Sequence, residues 1–218
     1  MTKTIIFYDT ETTGLPKFSL PSEDPSQPRV TQIAAELCIE ETGEALASVS
    51  LLIRPDGWVM EAEAAAMTGF TMGHLEKYGV PIELALRSFT ELWMHADVRC
   101  GHNEPFDARM LRIEYMRHPL YSGMAMNHDG EEMPFADYWK KQLAFCTQTN
   151  STKILNLPPS ERMLAKRMKG PKSPNLRETF LHFTGTELAG AHNAMVDVLG
   201  AKAVYYGIKQ HHAALAAA

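Results

Sequence analysis

The chain has 218 residues, 45% of them hydrophobic and 22% charged, with a formal net charge of −5. That length can bury the core of one sizeable domain, and no run approaches the ~20 apolar residues of a membrane span. The acidic balance argues against a strongly basic nucleic-acid binder, though not against an enzyme that meets phosphates through bound divalent metal.

The first strand is predicted at Thr4 to Tyr8, which is apolar and β-branched. Pro16 to Arg29 is rich in proline and serine, carries both charge signs, and reads as a surface loop. Val30 to Glu40 and Ala47 to Arg54 follow as strands, separated by the turn-like Glu41-Thr42-Gly43-Glu44. Glu61 to Met67 reads as a short helix ended by Gly69. Pro81 to His95 is a firmer helix, with Ile82, Leu84, Leu86, Phe89, Leu92 and Trp93 at roughly helical spacing. Val98 to Gly101 is a fourth strand, and Pro105 to Arg117 the helix after it, with Pro105 suited to a first turn. His118 to Ala136 is rich in Gly, Met and Asn and is expected to be irregular.

Leu143 to Thr147 reads as a fifth strand, and a loop with a weak helix leads to Ser173. Asn175 to Phe183 and Asn193 to about Gln210 are the last helices. Residues 1–210 are expected to form a single domain and 211–218 a tail with little to pack against. Three consecutive strands, then alternating strand and helix, predict an α/β mixed sheet that begins antiparallel and continues parallel. Cys38, Cys100 and Cys146 are far apart, each in a strand-like segment. They read as reduced core thiols, not a disulfide framework or a zinc site. With a strand so close to the N-terminus, no signal peptide is expected. The expectation is a cytoplasmic protein with no membrane partner.

Ligands on such sheets gather at the carboxyl ends of the strands, and the chemistry-bearing residues cluster in sequence at those ends. Asp9 and Glu11 follow the first strand, two apart and so on one face. Alone, the pair is as readily a solvated turn. Thr12, Thr13 and Gly14 set small hydrogen-bonding residues and a permissive backbone beside it, as phosphate or sugar contact needs. Asp107 follows the fourth strand, in Asn103-Glu104-Pro105-Phe106-Asp107, and by itself would be an ordinary first-turn acid.

Asp197 shares a row with Ala201, Val204 and Ile208, beside a second apolar row of Val196, Leu199, Ala203 and Tyr206. That puts its carboxylate on the buried side of a helix, where an unpaired charge is costly. An arginine partner or a metal would answer the cost, and the company of three other carboxylates favours metal. His192 lies five residues earlier, about 140° round an ideal helix. It is therefore expected in the loop leading in, within reach of a water at the site.

Together these segments resemble the DnaQ-like 3′→5′ exonucleases of the DEDDh type, which include proofreading subunits of bacterial DNA polymerase III, TREX-like enzymes, RNase T and oligoribonucleases. The motifs are Asp-x-Glu-Thr-Thr-Gly at Asp9 to Gly14, Asn-x-x-Phe-Asp at Asn103 to Asp107, and His-x-x-x-x-Asp at His192 to Asp197. The resemblance implies an RNase H-like fold. It implies Asp9, Glu11 and Asp197 as ligands of one divalent ion, with Asp9 bridging to a second that Asp107 joins. Oxygen ligands suit Mg²⁺ or Mn²⁺. His192 is implied as general base, since imidazole ordinarily titrates near ~6.5. Thr12, Thr13, Gly14 and Leu15, with Asn103 and Phe106, are implied to grip the terminal nucleotide.

The implied substrate is nucleic acid with a free 3′ end, single-stranded DNA favoured, releasing nucleoside 5′-monophosphates; a replicative polymerase is an admissible partner. RNA trimming like that of RNase T, or a non-catalytic binding module on the same fold, are the alternatives. Nothing among the residue types reads a 2′-hydroxyl. One feature lies outside the motifs. Arg162, Lys166, Arg167, Lys169 and Lys172 form a basic stretch flanked by Pro158-Pro159 and Gly170-Pro171, either a solvated surface or a strand-gripping loop.

Overall fold

Alternating apolar side chains bury both faces of the strand β1, Thr4–Thr12, and so make it central. In the computed structural model, which describes residues 2–121, 123–126, 130 and 132–217, Ile5 and Phe7 enter one core while Ile6 and Tyr8 enter the other. Two strands pair antiparallel beyond it, β2 (Val30–Ile39) on β1 and β3 (Ala45–Leu52) on β2. On its other side β1 pairs parallel with β4 (Val98–Gly101).

The helices between them are α1 (Ala62–Thr68), α2 (Met72–Tyr78) and α3 (Ile82–Trp93). After β4 come α4 (Glu104–Arg117), a hairpin of β5 (Met124–Met126) with β6 (Glu132–Pro134), and a 3₁₀ turn over Phe135–Lys141. Strand β7 (Leu143–Cys146) pairs parallel with β4 and completes the sheet in the order β3-β2-β1-β4-β7. The chain closes with α5 (Thr147–Leu155), α6 (Glu161–Ala165), α7 (Leu176–Thr184) and α8 (Ala194–Ala216). The predicted mixed sheet is therefore present, with its antiparallel and parallel parts where the element order puts them.

The layers follow from strand alternation. Helices α3 and α4 cover the face of Ile6, Tyr8 and Ile33, and α8 covers the face of Ile5, Phe7 and Cys38. Helix α7 packs on α8 at Gly207, where a Cβ would stand 2.7 Å from Phe183 Cβ. Only glycine permits that approach.

Several elements differ from expectation. Helix α2 is absent from the sequence reading; Thr71 caps it, accepting the His74 N–H at 3.2 Å, as a hydroxyl at a helix start commonly does. The 118–136 segment holds the β5–β6 hairpin, and its residues 122, 127–129 and 131 lie outside the described ones. The fifth strand stops at Cys146 because Thr147 starts a nine-residue helix. Helix α8 runs on to Ala216, since its alanine-rich end has the best helix propensity even without packing.

The predicted second apolar row of α8 is also corrected. Leu199 is 47% exposed, and the buried row beside Asp197 is Ala194, Val198, Ala201 and Tyr205. Asp197 can border an apolar stripe on either side of the helix, and the sheet lies on the Val198 side; Leu199 is about 200° round from Asp197.

A buried polar group anchors α4 to the sheet. Glu104 accepts from Tyr8 Oη and from Arg99 Nη1, both at 2.5 Å, linking β1, β4 and α4 within one side chain's reach. Removing one member of such a pair leaves the other buried charge uncompensated. Glu104→Ala should therefore lower unfolding free energy by about 3–5 kcal/mol, measured by urea denaturation against wild type. A loss no larger than that of an exposed substitution would show that the pair does not anchor the helix.

Candidate active site

Strand β1 outruns β4. Their parallel pairing covers Ile5 to Phe7, and β4 ends at Gly101. Past that point the Thr10 N–H meets the Asp107 carboxylate instead of a strand. Asp107 Oδ1 accepts the Thr10 N–H at 2.9 Å and the Thr10 hydroxyl at 2.7 Å. Asp107 is thereby delivered from the α4 side of the sheet to the exposed end of β1. Its helix starts sharply: Asn103 stands in the left-handed region at φ 64° and Pro105 follows in the first turn, where its missing N–H costs nothing.

Asp197 arrives from the opposite side. Gln32 on β2, the register partner of Glu11, accepts the Ala194 N–H at 3.0 Å and docks the start of α8 against the sheet. Asn193 caps the same helix, accepting the Met195 N–H at 3.2 Å, which satisfies one of its free first-turn donors. His192 is exposed, outside the helix, at φ 72°, and its N–H donates to Asp197 Oδ2 at 3.1 Å. Asp9 and Glu11 share the sheet face that α8 covers, as their spacing predicts. Ligand atoms of Glu11, His192 and Asp197 all lie within 4.8 Å of one another.

The result is an open cleft of about 300 Å³ lined by Asp9, Glu11, Asp107, Asp197 and His192 together with Asn103 and Phe106. Thr12, Thr13, Gly14 and Leu15 line a neighbouring, more apolar pocket of about 480 Å³, where Phe106 forms part of the shared wall. Every motif residue named as a candidate site residue thus borders one of two adjoining spaces. The threonine hydroxyls, however, are engaged within the turn: Thr12 Oγ1 donates to Gly14 O at 2.9 Å, and Thr13 Oγ1 accepts the Arg29 N–H at 2.9 Å.

Other lining residues carry no motif signal. Ala64, Met67 and Thr68 of α1 close the apolar pocket, and Gln148, Asn175 and Leu176 close the cleft. His102 sits in the cleft wall beside the Asn-x-x-Phe-Asp motif. Its Nε2 donates to Pro174 O at 3.1 Å, and Nδ1 lies 2.9 Å from Thr147 Oγ1. Burial pushes its ring down to about 4, so it is neutral near pH 7 and structural, while His192 is the exposed imidazole. Thr10 and Glu104 were likewise missed: neither is unusual by type, and only the sheet register shows what they hold.

The loop 13–29 is braced from α4. Buried Glu114 accepts from Arg29 Nε and from the Val30 N–H, each at 3.0 Å. Arg117 donates to the carbonyls of Pro28 (2.8 Å) and Gln27 (2.5 Å). Arg29 also forms a two-toothed pair with Asp56, the geometry that a planar guanidinium favours.

Burial raises every carboxyl of the cleft, and neighbouring acids raise Asp9, Glu11 and Asp107 further. Desolvation is the first cause for each. Asp9 stands well above the usual range, raised further by Asp107, Asp197 and Glu11. Glu11 is pushed up to about 7 by burial and then by Asp197. Asp107 is pushed to about 8 by burial, although the two Thr10 hydrogen bonds hold it down. Asp197 is raised by burial against the opposing pull of the His192 N–H. Its Oδ1 is buried with no hydrogen-bond partner among the described residues. An orphaned carboxylate oxygen within a set of oxygen donors fits a hard divalent cation.

The sequence matches the RNase_T family, described as exonuclease, over residues 6–205. The chain belongs to that exonuclease family. Among solved structures, this chain is similar to E. coli exonuclease I in complex with a dA16 oligonucleotide, at 19% identity and TM-score 0.67, covering 95% of this chain and 41% of that one. It is similar to the same E. coli protein in complex with a dT13 oligonucleotide, at 19% identity and TM-score 0.68, covering 98% and 42%. A zinc-bound E. coli exonuclease I–ssDNA complex matches at 19% identity and TM-score 0.64, covering 97% and 41%. This chain spans about two fifths of the length of those proteins, and at that identity the likeness shows the fold. No curated protein sequence matches significantly. Among the described residues, no helix is long and apolar enough to cross a membrane.

The raised carboxyls set a pH dependence with a definite sign. They hold protons in the folded chain to higher pH than in the unfolded one. This contribution is full below the ordinary carboxyl range of ~4. It is lost as pH rises through about 7 for Glu11 and about 8 for Asp107. Metal-free protein should therefore melt at progressively lower temperature from about pH 5 to 8, and saturating Mg²⁺ or Mn²⁺ should restore the loss. Calorimetry with chelator and with metal checks this; a metal-free melting temperature that climbs across the window would contradict it.

Proposed function

We propose that this exonuclease removes nucleotides from the 3′ ends of single-stranded DNA with two Mg²⁺ or Mn²⁺ ions, releasing nucleoside 5′-monophosphates. The observation that carries the reading is the meeting of Glu11, His192 and Asp197 ligand atoms within 4.8 Å, with Asp9 and Asp107 in the same cleft. Single-stranded DNA is favoured because one similar E. coli structure is an ssDNA complex and two others hold dA16 and dT13 oligonucleotides.

Asp9, Glu11 and Asp197 would hold one ion, and Asp9 with Asp107 the second. When bound, the ions supply charge stabilisation for both the attacking and leaving oxygens of an in-line displacement. The chain's own residues do the rest. A ring nitrogen of His192 takes the proton of the attacking water. Asp197 positions that imidazole through the His192 N–H. Thr10 holds Asp107 in place with two hydrogen bonds, so this carboxylate need not reorganise during reaction. Leu15 and Phe106 pack on the terminal base at the wall between cleft and pocket.

End-labelled single-stranded DNA and RNA of one sequence, each with Mg²⁺ or Mn²⁺, test the reading directly. Wild type should shorten DNA from its 3′ end faster than RNA, and Asp9→Ala should remove cleavage while keeping the fold. Stable full-length DNA under all metal conditions would refute the activity. His192→Ala should lower the single-turnover rate by roughly 10²–10⁴-fold with little change in substrate affinity and should alter the ascending limb of the pH–rate profile. A wild-type rate would remove the general-base role.

The basic stretch supports a further, separable contact. Arg162, Lys166 and Arg167 are exposed, whereas Lys172 is paired with Glu178 at 2.6 Å. The expected loop is in part helix α6, which holds Arg162, and the chain after it leads through Pro174 to Asn175 and Leu176 in the cleft wall. Each phosphate contact on a single strand contributes about −0.7 to the slope of log affinity on log salt. Replacing these three by alanine should flatten that slope by as much as ~2, read by binding of the Asp9→Ala protein at several salt concentrations. An unchanged slope would leave the stretch a solvated surface.

A further inference from the structure

The loop between β1 and β2 holds an aromatic ring out into solvent. Phe18 is 74% exposed, and Leu15, three residues earlier at the apolar pocket, is 79% exposed. A mobile loop would be free to fold such a ring away from water, but this one is tied on both sides of Phe18. The Gln27 side chain accepts the Lys17 N–H at 2.9 Å and donates to the carbonyls of Lys17, Leu20 and Pro21 at 3.0, 3.3 and 3.0 Å. From α4, Arg109 Nη2 donates to Leu20 O at 3.1 Å. The same guanidinium lies 5.7 Å from the Phe18 ring centroid, close enough for cation–π attraction.

Arg109 follows Phe106 by three residues, about one turn of α4. Phe106 forms the wall shared by the cleft and the apolar pocket. The Phe18 ring therefore lies beside the turn of α4 that follows Phe106. We infer that Phe18 is a stacking platform for an unpaired base upstream of the terminal nucleotide, with Arg109 and Gln27 as the residues that position it. This inference rests on the nuclease reading above.

The occupant is a single strand for a physical reason. A base inside a duplex already has both faces stacked, whereas an unpaired base offers a free π-face whatever its identity. A ring on a braced loop also loses little freedom on binding, so its contact area is not offset by ordering. The platform would thus favour single strands without selecting sequence.

The test uses single-stranded DNA carrying 2-aminopurine at the second, third, fourth or fifth position from the 3′ end. Binding is measured in the Asp9→Ala background so that the strand stays intact. Fluorescence should change at one position on binding, and that change should vanish with Phe18→Ala and return with Phe18→Trp. Phe18→Ala should also weaken affinity by about 5-fold or more with an unaltered melting temperature, since the ring is exposed. Equal affinity and an identical fluorescence pattern in a Phe18→Ala protein that still binds would overturn the platform and leave the nuclease reading standing. Failure of the Asp9→Ala protein to bind any strand, with no cleavage by wild type, would remove the nuclease reading and the platform with it.

Discussion

Carboxylates gathered at the end of one buried strand repel each other, and much of the surrounding architecture holds them against that repulsion. Asp9 and Glu11 belong to β1 itself, but Asp107 and Asp197 come from helices on opposite faces of the sheet. Bringing them together needs a strand that projects beyond its parallel neighbour. The early end of β4 at Gly101 supplies this projection and frees the Thr10 N–H to hold Asp107. Without compensation, protonation relieves the burial of charge, which is the first cause of the raised carboxyl values, and the repulsion that adds to it. A divalent cation relieves it while leaving the oxygens charged.

Two neighbouring acids in the same motif show how environment divides roles. Glu104 and Asp107 are one turn apart on α4, and both are buried. Glu104 faces Arg99 and Tyr8 and is committed to joining β1, β4 and α4. Among the described residues, Asp107 accepts hydrogen bonds from Thr10 and has no cationic partner, and it borders the cleft. The first builds the platform, and the second is presented on it. The two histidines of the cleft divide in the same way. His102 is buried, neutral and engaged with Pro174 O, whereas His192 is exposed beside Asp197.

The β1–β2 loop extends this logic from chemistry to grip. It begins at the strand end that carries Asp9 and Glu11, and buried Glu114 with Arg29 and Arg117 fastens its return to α4. The helix that supplies Asp107 and Phe106 thus also sets the position of the loop. A shift of α4 would therefore move the Asp107 carboxylate and the Phe106 wall together.

Much of this was legible in the sequence because it depends on local period and spacing. The strand pattern of Thr4 to Tyr8, which the structure carries on to Thr12 through Asp9 and Glu11, and the helical rows from Pro81 to His95 follow from burial on one or two faces, and their order limits the sheet to the mixed arrangement observed. The acidic residues stood out because a carboxylate on an apolar stripe is costly wherever it occurs. What sequence could not decide was which side of a stripe meets the sheet. That is why the second row of α8 was misplaced: Asp197 borders apolar neighbours on both sides, and only the docking of Ala194 on Gln32 selects the Val198 side. Thr10, Glu104, His102 and Gln27 were invisible for the same reason. Each acts through a partner distant in the chain or through loop carbonyls, and such pairings exist only once β1, β4 and the helices have packed.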